Sequence, residues 1–119
     1  MIENIRRITV HEVKAAMEKT GAVLKRKTTL MKHSNGLVCG CPIGIVAFSI
    51  KDPIPNWCSA GVEDCQRIVG LEDVYCSGFI GGFDGLVNGP IHISNDIYTK
   101  GYADGRAVAE ALLPKSDNR

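Results

Sequence analysis

At 119 residues and 45% apolar content the chain can close one core, burying about 65% of the surface its unfolded form exposes, and division into two domains leaves each too small. Its 14 basic and 13 acidic side chains leave a net charge of +1, which excludes a long-range field that gathers nucleic acid or anionic lipid. Five cysteines, an odd number, point to thiols in a reducing compartment and not to a disulfide framework.

The first seven residues hold no apolar stretch followed by a small-residue cleavage site, so no secretory signal is expected and the cytoplasm is the expected location. Thr9-Val10-His11-Glu12 has the form of a capping box and opens a short amphipathic helix. Ile8 and Val13 take the staple positions, Val10, Val13 and Met17 share a face, and Gly21 supplies a left-handed stop. Ala22 to Lys32 then alternates like a hairpin arm, Asn35-Gly36 suits a type I′ turn, and Leu37-Val38-Cys39 returns, giving a hairpin over about 22–39. Pro42 fits the first position of a helix whose Ile43, Ile45, Val46, Ala47, Phe48 and Ile50 cover every side, as a helix in the middle of a core requires. The longest uncharged run, Gly36 to Ile50, is shorter than the roughly 20 apolar residues that cross a bilayer, so no membrane partner is expected.

Asp52-Pro53 and Pro55 end that helix, and Trp57 is expected to fold back onto the core. A short helix follows over Val62 to Val69, closed by Gly70. Another spans Leu71 to Leu86, with Glu72 and Asp73 in its first turn and Asn88-Gly89-Pro90 as its stop. Ser94 or Asn95 caps a last helix running to about Leu113. These elements predict an α+β, predominantly α fold of about five helices and one small hairpin. The chain reads as a single domain over 1–119, with an N-terminal helix and hairpin (1–40), a helical part (41–113) and a polar tail (114–119).

Two helices carry glycine stripes. Leu71, Tyr75, Phe79 and Phe83 stack on one face of the first, while Gly78, Gly81, Gly82 and Gly85 gather on the other; Gly101, Gly105 and Ala109 repeat the pattern in the last helix. Six glycines inside helices cost about 5–6 kcal/mol relative to alanine, comparable to the whole stability of a small domain. Close approach of another surface offsets that loss, and packing of one striped helix on the other is the first expectation, ahead of a second subunit or a flat ligand. The candidate ligand or interface residues are accordingly Gly78, Gly81, Gly82, Phe83, Asp84, Gly85, Gly101, Tyr102, Asp104, Gly105 and Arg106.

Cys41-Pro42-Ile43-Gly44, then Gly78-Phe79-Ile80-Gly81-Gly82-Phe83-Asp84-Gly85, then Gly101-Tyr102-Ala103-Asp104-Gly105-Arg106-Ala107 resemble, in that order, segments of small bacterial proteins without an assigned activity. The resemblance implies one domain and nothing chemical.

Chemistry-bearing residues are sparse. Cys39, Cys41, Cys58 and His33 assemble on paper into a zinc set, but without a CxxC pair no metal is expected, and no cofactor. Cys41, just before a helix start, is a candidate reactive thiol through the helix dipole, with a buried cap as the plainer reading. Asp84 and Asp104 form an acid/base pair if the striped helices juxtapose them; otherwise Asp104 pairs with Lys100 or Arg106 on a solvated surface. The spaced glycines 78–85 follow no strand and lack a Lys-Ser/Thr ending, which excludes a phosphate loop. A helix-turn-helix over Val62 to Gly85 is disfavoured because Glu72 to Gly85 carries three acids and no base. Lys25-Arg26-Lys27 with Lys32 is the only basic cluster, placed on the hairpin and read mainly as charge guarding a sheet edge. The residues fit a non-enzymatic interaction or ligand-binding module that self-associates; the alternatives are a small enzyme or thiol switch using Cys41 or Asp84/Asp104, and a nucleic-acid-binding protein using the basic hairpin.

Overall fold

The computed structural model describes residues 5–54, 58–85 and 95–113. Among them lie five helices and four short strands, an α+β arrangement that is mostly helical: α1 (Val10–Thr20), β1 (Val23–Leu24), β2 (Leu30–Lys32), β3 (Val38–Gly40), α2 (Pro42–Ile50), β4 (Ser59–Ala60), α3 (Val62–Val69), α4 (Asp73–Asp84) and α5 (Asp96–Leu112). They fall into two compact units, one of residues 1–10 with 71–119 and one of residues 11–70. Trp57, Asn88-Gly89-Pro90, Ser94 and the tail after Leu113 lie outside the described residues.

In the unit of residues 11–70 the strands order β1-β3-β2-β4, with β1 parallel to β3 and the other pairs antiparallel. The expected hairpin is therefore corrected: only Leu30–Lys32 pairs with Val38–Gly40, while Val23–Leu24 crosses to the far side of β3 as an edge strand. The turn is also not type I′. The His33 carbonyl accepts from the Gly36 amide at 2.9 Å, only Gly36 of the turn has positive φ (+90), and the Asn35 side chain accepts from the Leu37 amide at 3.0 Å. Asn-Gly thus fills the last two positions of the turn, leaving the glycine as the bulge that restores pairing through His33 N–H and the Leu37 carbonyl.

Paired residues share a face of the sheet. Leu24, Leu30 and Val38, all buried, form the inner face on which α2 packs through β1 and β3. Pro42 starts α2 as expected, and its residues Pro42 to Ala47 are buried among β3, β1 and α3. The last turn emerges, leaving Ile50 56% exposed, so this helix is central only along its first two turns. Lys32 reaches over the Phe48 ring to the Asp52 carboxylate at 2.7 Å and the Ile54 carbonyl at 3.0 Å, tying β2 to the chain beyond α2.

In the other unit α4 and α5 lie against each other. Glu72 caps α4 by accepting from the Val74 and Tyr75 amides, and Asn95 caps α5 by accepting from Tyr98 N–H at 3.0 Å. Instead of continuing to Leu86, α4 stops where Gly85 turns left-handed at φ +78 and donates to the Gly81 carbonyl, so Gly85 is a stop and leaves the stripe.

Candidate functional site

The remaining stripe glycines are consumed within the chain. A Cβ on Gly78 overlaps the Tyr98 carbonyl and one on Gly82 the Tyr102 carbonyl; reciprocally, Gly101 faces the Tyr75 carbonyl and Gly105 the Phe79 carbonyl. Each helix thus contributes a Gly-x-x-x-Gly pair whose Cα–H groups point at the other's carbonyl oxygens, a contact only bare backbone permits. Partner numbers rise together along both helices, so α4 and α5 run parallel. Gly81 makes room differently, for the Tyr98 hydroxyl 3.1 Å from where its Cβ goes, and Tyr98 stacks on Tyr102 with centroids 6.4 Å apart. Beside the glycines on α4, Tyr75, Phe79 and Phe83 are 0% exposed, so the aromatic ridge is core.

Polar chemistry in this unit gathers at the start of α4. The Tyr75 hydroxyl donates to Asp104 Oδ2 at 2.6 Å and accepts from the Ile8 amide at 2.9 Å, while Arg7 grips both Asp104 oxygens at 2.8 and 2.9 Å. Burial, then the Asp104 carboxylate, push the Tyr75 phenol well above its ordinary range, and Arg7 is raised by its bond to Asp104. This arrangement replaces the expected pairing of Asp104 with Lys100 or Arg106; Arg106 is exposed and donates to Glu110 at 2.9 Å. Asp84, the last residue of α4, stands nine residues beyond Tyr75, about 13 Å along the axis, so Asp104 is turned toward the other end of the helix. Arg7 and Tyr75 escaped the sequence reading because no local pattern joins residues 97 and 29 positions apart.

In the unit of residues 11–70, Cys41 is the N-cap residue of α2, 6% exposed, with its amide donating to the Thr28 and Thr29 carbonyls. Lys25, Arg26 and Lys27 occupy the loop between β1 and β2, with Lys27 at φ +61, and Lys32 points to the inner face; the four do not form one patch on a hairpin. All five cysteines are free thiols.

The outer face of the sheet is the feature the sequence did not single out. Register places Val23, Cys39, Met31 and Ser59 in one row across the four strands, and the His33–Leu37 pair beside it on the same face. No charged side chain lies in these six positions. Val23 is 50% and Leu37 44% exposed, while Cys39 is buried at 5%, with its sulfur 3.4 Å from His33 Nε2. Cys58, opposite Lys32 in the ladder, belongs to the inner-face register, away from that pair. Compared with known proteins, the chain matches no family model, no curated protein and no solved structure.

Proposed function

We propose that the chain is a small non-enzymatic interaction or ligand-binding module of the cytoplasm that self-associates through the outer face of its sheet. The observation carrying this reading is that two of the large apolar side chains left exposed, Val23 and Leu37, lie on one face of the sheet, with Met31 on the same face across β3 from Val23. An outward face of an antiparallel pair is ordinarily polar, and a contiguous apolar one marks a contact surface. The glycine stripes, spent between α4 and α5, have no part in the contact. An odd number of cysteines, five, supports a reducing compartment. Sedimentation equilibrium at micromolar concentration tests the reading: the wild type is expected above the chain mass and Val23→Lys at the chain mass, whereas a strictly monomeric wild type ends it.

A further inference from the structure

Asn35 and Gly36 are exposed at the turn between β2 and β3. Apart from the adjoining residues, no atom lies within 4 Å of where a Cβ on Gly36 would stand. Asparagine is among the less durable side chains, because the main-chain nitrogen of the next residue can attack its Cγ, and a glycine in that next position obstructs the attack least. Two hydrogen bonds of the turn bear on the reaction in opposite senses. The Leu37 amide donates to Asn35 Oδ1 at 3.0 Å. A side-chain carbonyl bonded to the amide two residues on is folded back along the main chain toward the amide in between, and its donor stands where negative charge develops as Cγ is attacked. The Gly36 amide donates to the His33 carbonyl at 2.9 Å, which holds back the proton that the nucleophile must lose. A neutral hydrogen bond in an exposed turn slows that loss by about tenfold at most, and the held geometry with a donor at the oxyanion together contribute more.

We propose that Asn35 is a site of self-modification, at which the Leu37 amide, the Asn35 carboxamide and the Gly36 nitrogen are set in order for cyclisation and loss of ammonia. The Gly36 nitrogen bonds to Asn35 Cγ and gives its proton to water, while one electron pair of the Cγ–Oδ1 double bond moves onto Oδ1, against the Leu37 N–H. That pair returns, the Cγ–Nδ2 bond breaks, and Nδ2 takes a proton from water and leaves as ammonia, closing a five-membered succinimide. Water then opens the ring. Addition at Cγ breaks the new bond and leaves aspartate at position 35. Addition at the main-chain carbonyl carbon breaks the original peptide bond and leaves isoaspartate, with the chain running through Cβ and longer by one carbon. Nothing is oxidised or reduced, and either route consumes one water, releases one ammonia and lowers the net charge of +1 by one. The added carbon falls just before the Gly36 bulge that restores the His33–Leu37 pairing. Leu37, one of the exposed apolar side chains of the outer face, then loses its register, and self-association declines as the chain ages. The chemistry stands apart from the self-association reading; only this consequence rests on it.

The wild-type chain, held at mildly alkaline pH either folded in buffer or unfolded in guanidinium chloride and then mapped by peptide mass spectrometry, tests the site. The other Asn-Gly pair of the sequence, Asn88-Gly89, is mapped in the same samples. Position 35 of the folded chain is expected to convert at least as fast as in the unfolded chain, gaining about one dalton and giving both aspartate and isoaspartate. Asn35→Gln, which has to close a less favourable six-membered ring, is expected to stay unconverted at that position over the same period. Slower conversion at position 35 in the fold than in denaturant, or conversion confined to Asn88, overturns the site. Aged wild type is expected to sediment nearer the single-chain mass than fresh protein, while Asn35→Gln aged alike holds the mass it starts with. Conversion at position 35 with the sedimenting mass unchanged overturns the consequence and upholds the site. Fresh protein that is already a single chain overturns self-association, and the mapping then decides the site alone.

Discussion

The carbonyl oxygen of Tyr98 occupies the space that a Cβ on Gly78 requires. The obstacle is backbone, so it cannot swing aside, and alanine there must push α4 and α5 apart. Gly78→Ala and Gly82→Ala are therefore expected to destabilise by about 1–3 kcal/mol, although each gains about 1 kcal/mol of helix propensity. Gly81 faces only the end of the Tyr98 side chain, at 3.1 Å, and Gly81→Ala is expected to be neutral or stabilising by up to about 1 kcal/mol. Urea denaturation of the three variants reads the contrast.

Tyr75 links Ile8 to Asp104 from a fully buried position. Tyr75→Phe leaves the Ile8 amide without its acceptor, a loss of about 1–3 kcal/mol in thermal or chemical unfolding. Asp104→Ala strands the Tyr75 hydroxyl and releases Arg7, with a loss of similar size; the double variant is expected to cost less than the sum, because both changes break one chain of bonds.

Alkali reads the same group. Burial and the neighbouring carboxylate hold the Tyr75 phenol above its ordinary value of 10.0, so the folded chain keeps a proton that the unfolded chain releases. The stabilisation from this is complete below pH 10 and shrinks as pH rises beyond it. Ultraviolet titration is expected to show one tyrosine that ionises only as the fold is lost, and Tyr75→Phe to abolish that step.

Acid tests the Lys32–Asp52 tie. Burial pushes the Asp52 carboxyl up, but the hydrogen bond from Lys32, the Ile54 amide and the Lys32 charge together bring it below its ordinary 3.8. The contribution is present above that value and is lost as pH falls through the lowered folded one. Asp52→Asn is expected to be less stable at neutral pH and to lose less on acidification, measured by urea midpoints between pH 6 and pH 2.

Elements written in local chemistry were legible. Proline opens α2 at Pro42, Gly70 ends α3 after Val69, and Asn95 caps α5, each a property of one or two residues. The stripes were readable for the same reason: spacing of four fixes a helix face. Periodicity does not carry the sense in which two faces meet, so the parallel run of α4 and α5 was not. Nor does it carry non-local pairing. The parallel crossing of β1 to β3 puts Val23 beside Cys39, and only that register reveals an apolar outer face from residues that look unremarkable along the chain. Gly85 was misplaced because a glycine that ends a helix and one that lets a neighbour approach look alike until φ is known.

The glycine faces of α4 and α5 are spent on each other, and the sheet face carrying Val23, Met31 and Leu37 is the surface proposed for a second copy. Native mass spectrometry of protein purified without added cofactor decides between a paired and a single chain, since it reports chain number and retained ions together. Multiples of the chain mass are expected for the wild type and for Gly81→Ala, and the single-chain mass for Val23→Lys/Leu37→Lys. A wild type found only as single chains, or an assembly that survives the double lysine variant, contradicts that assignment.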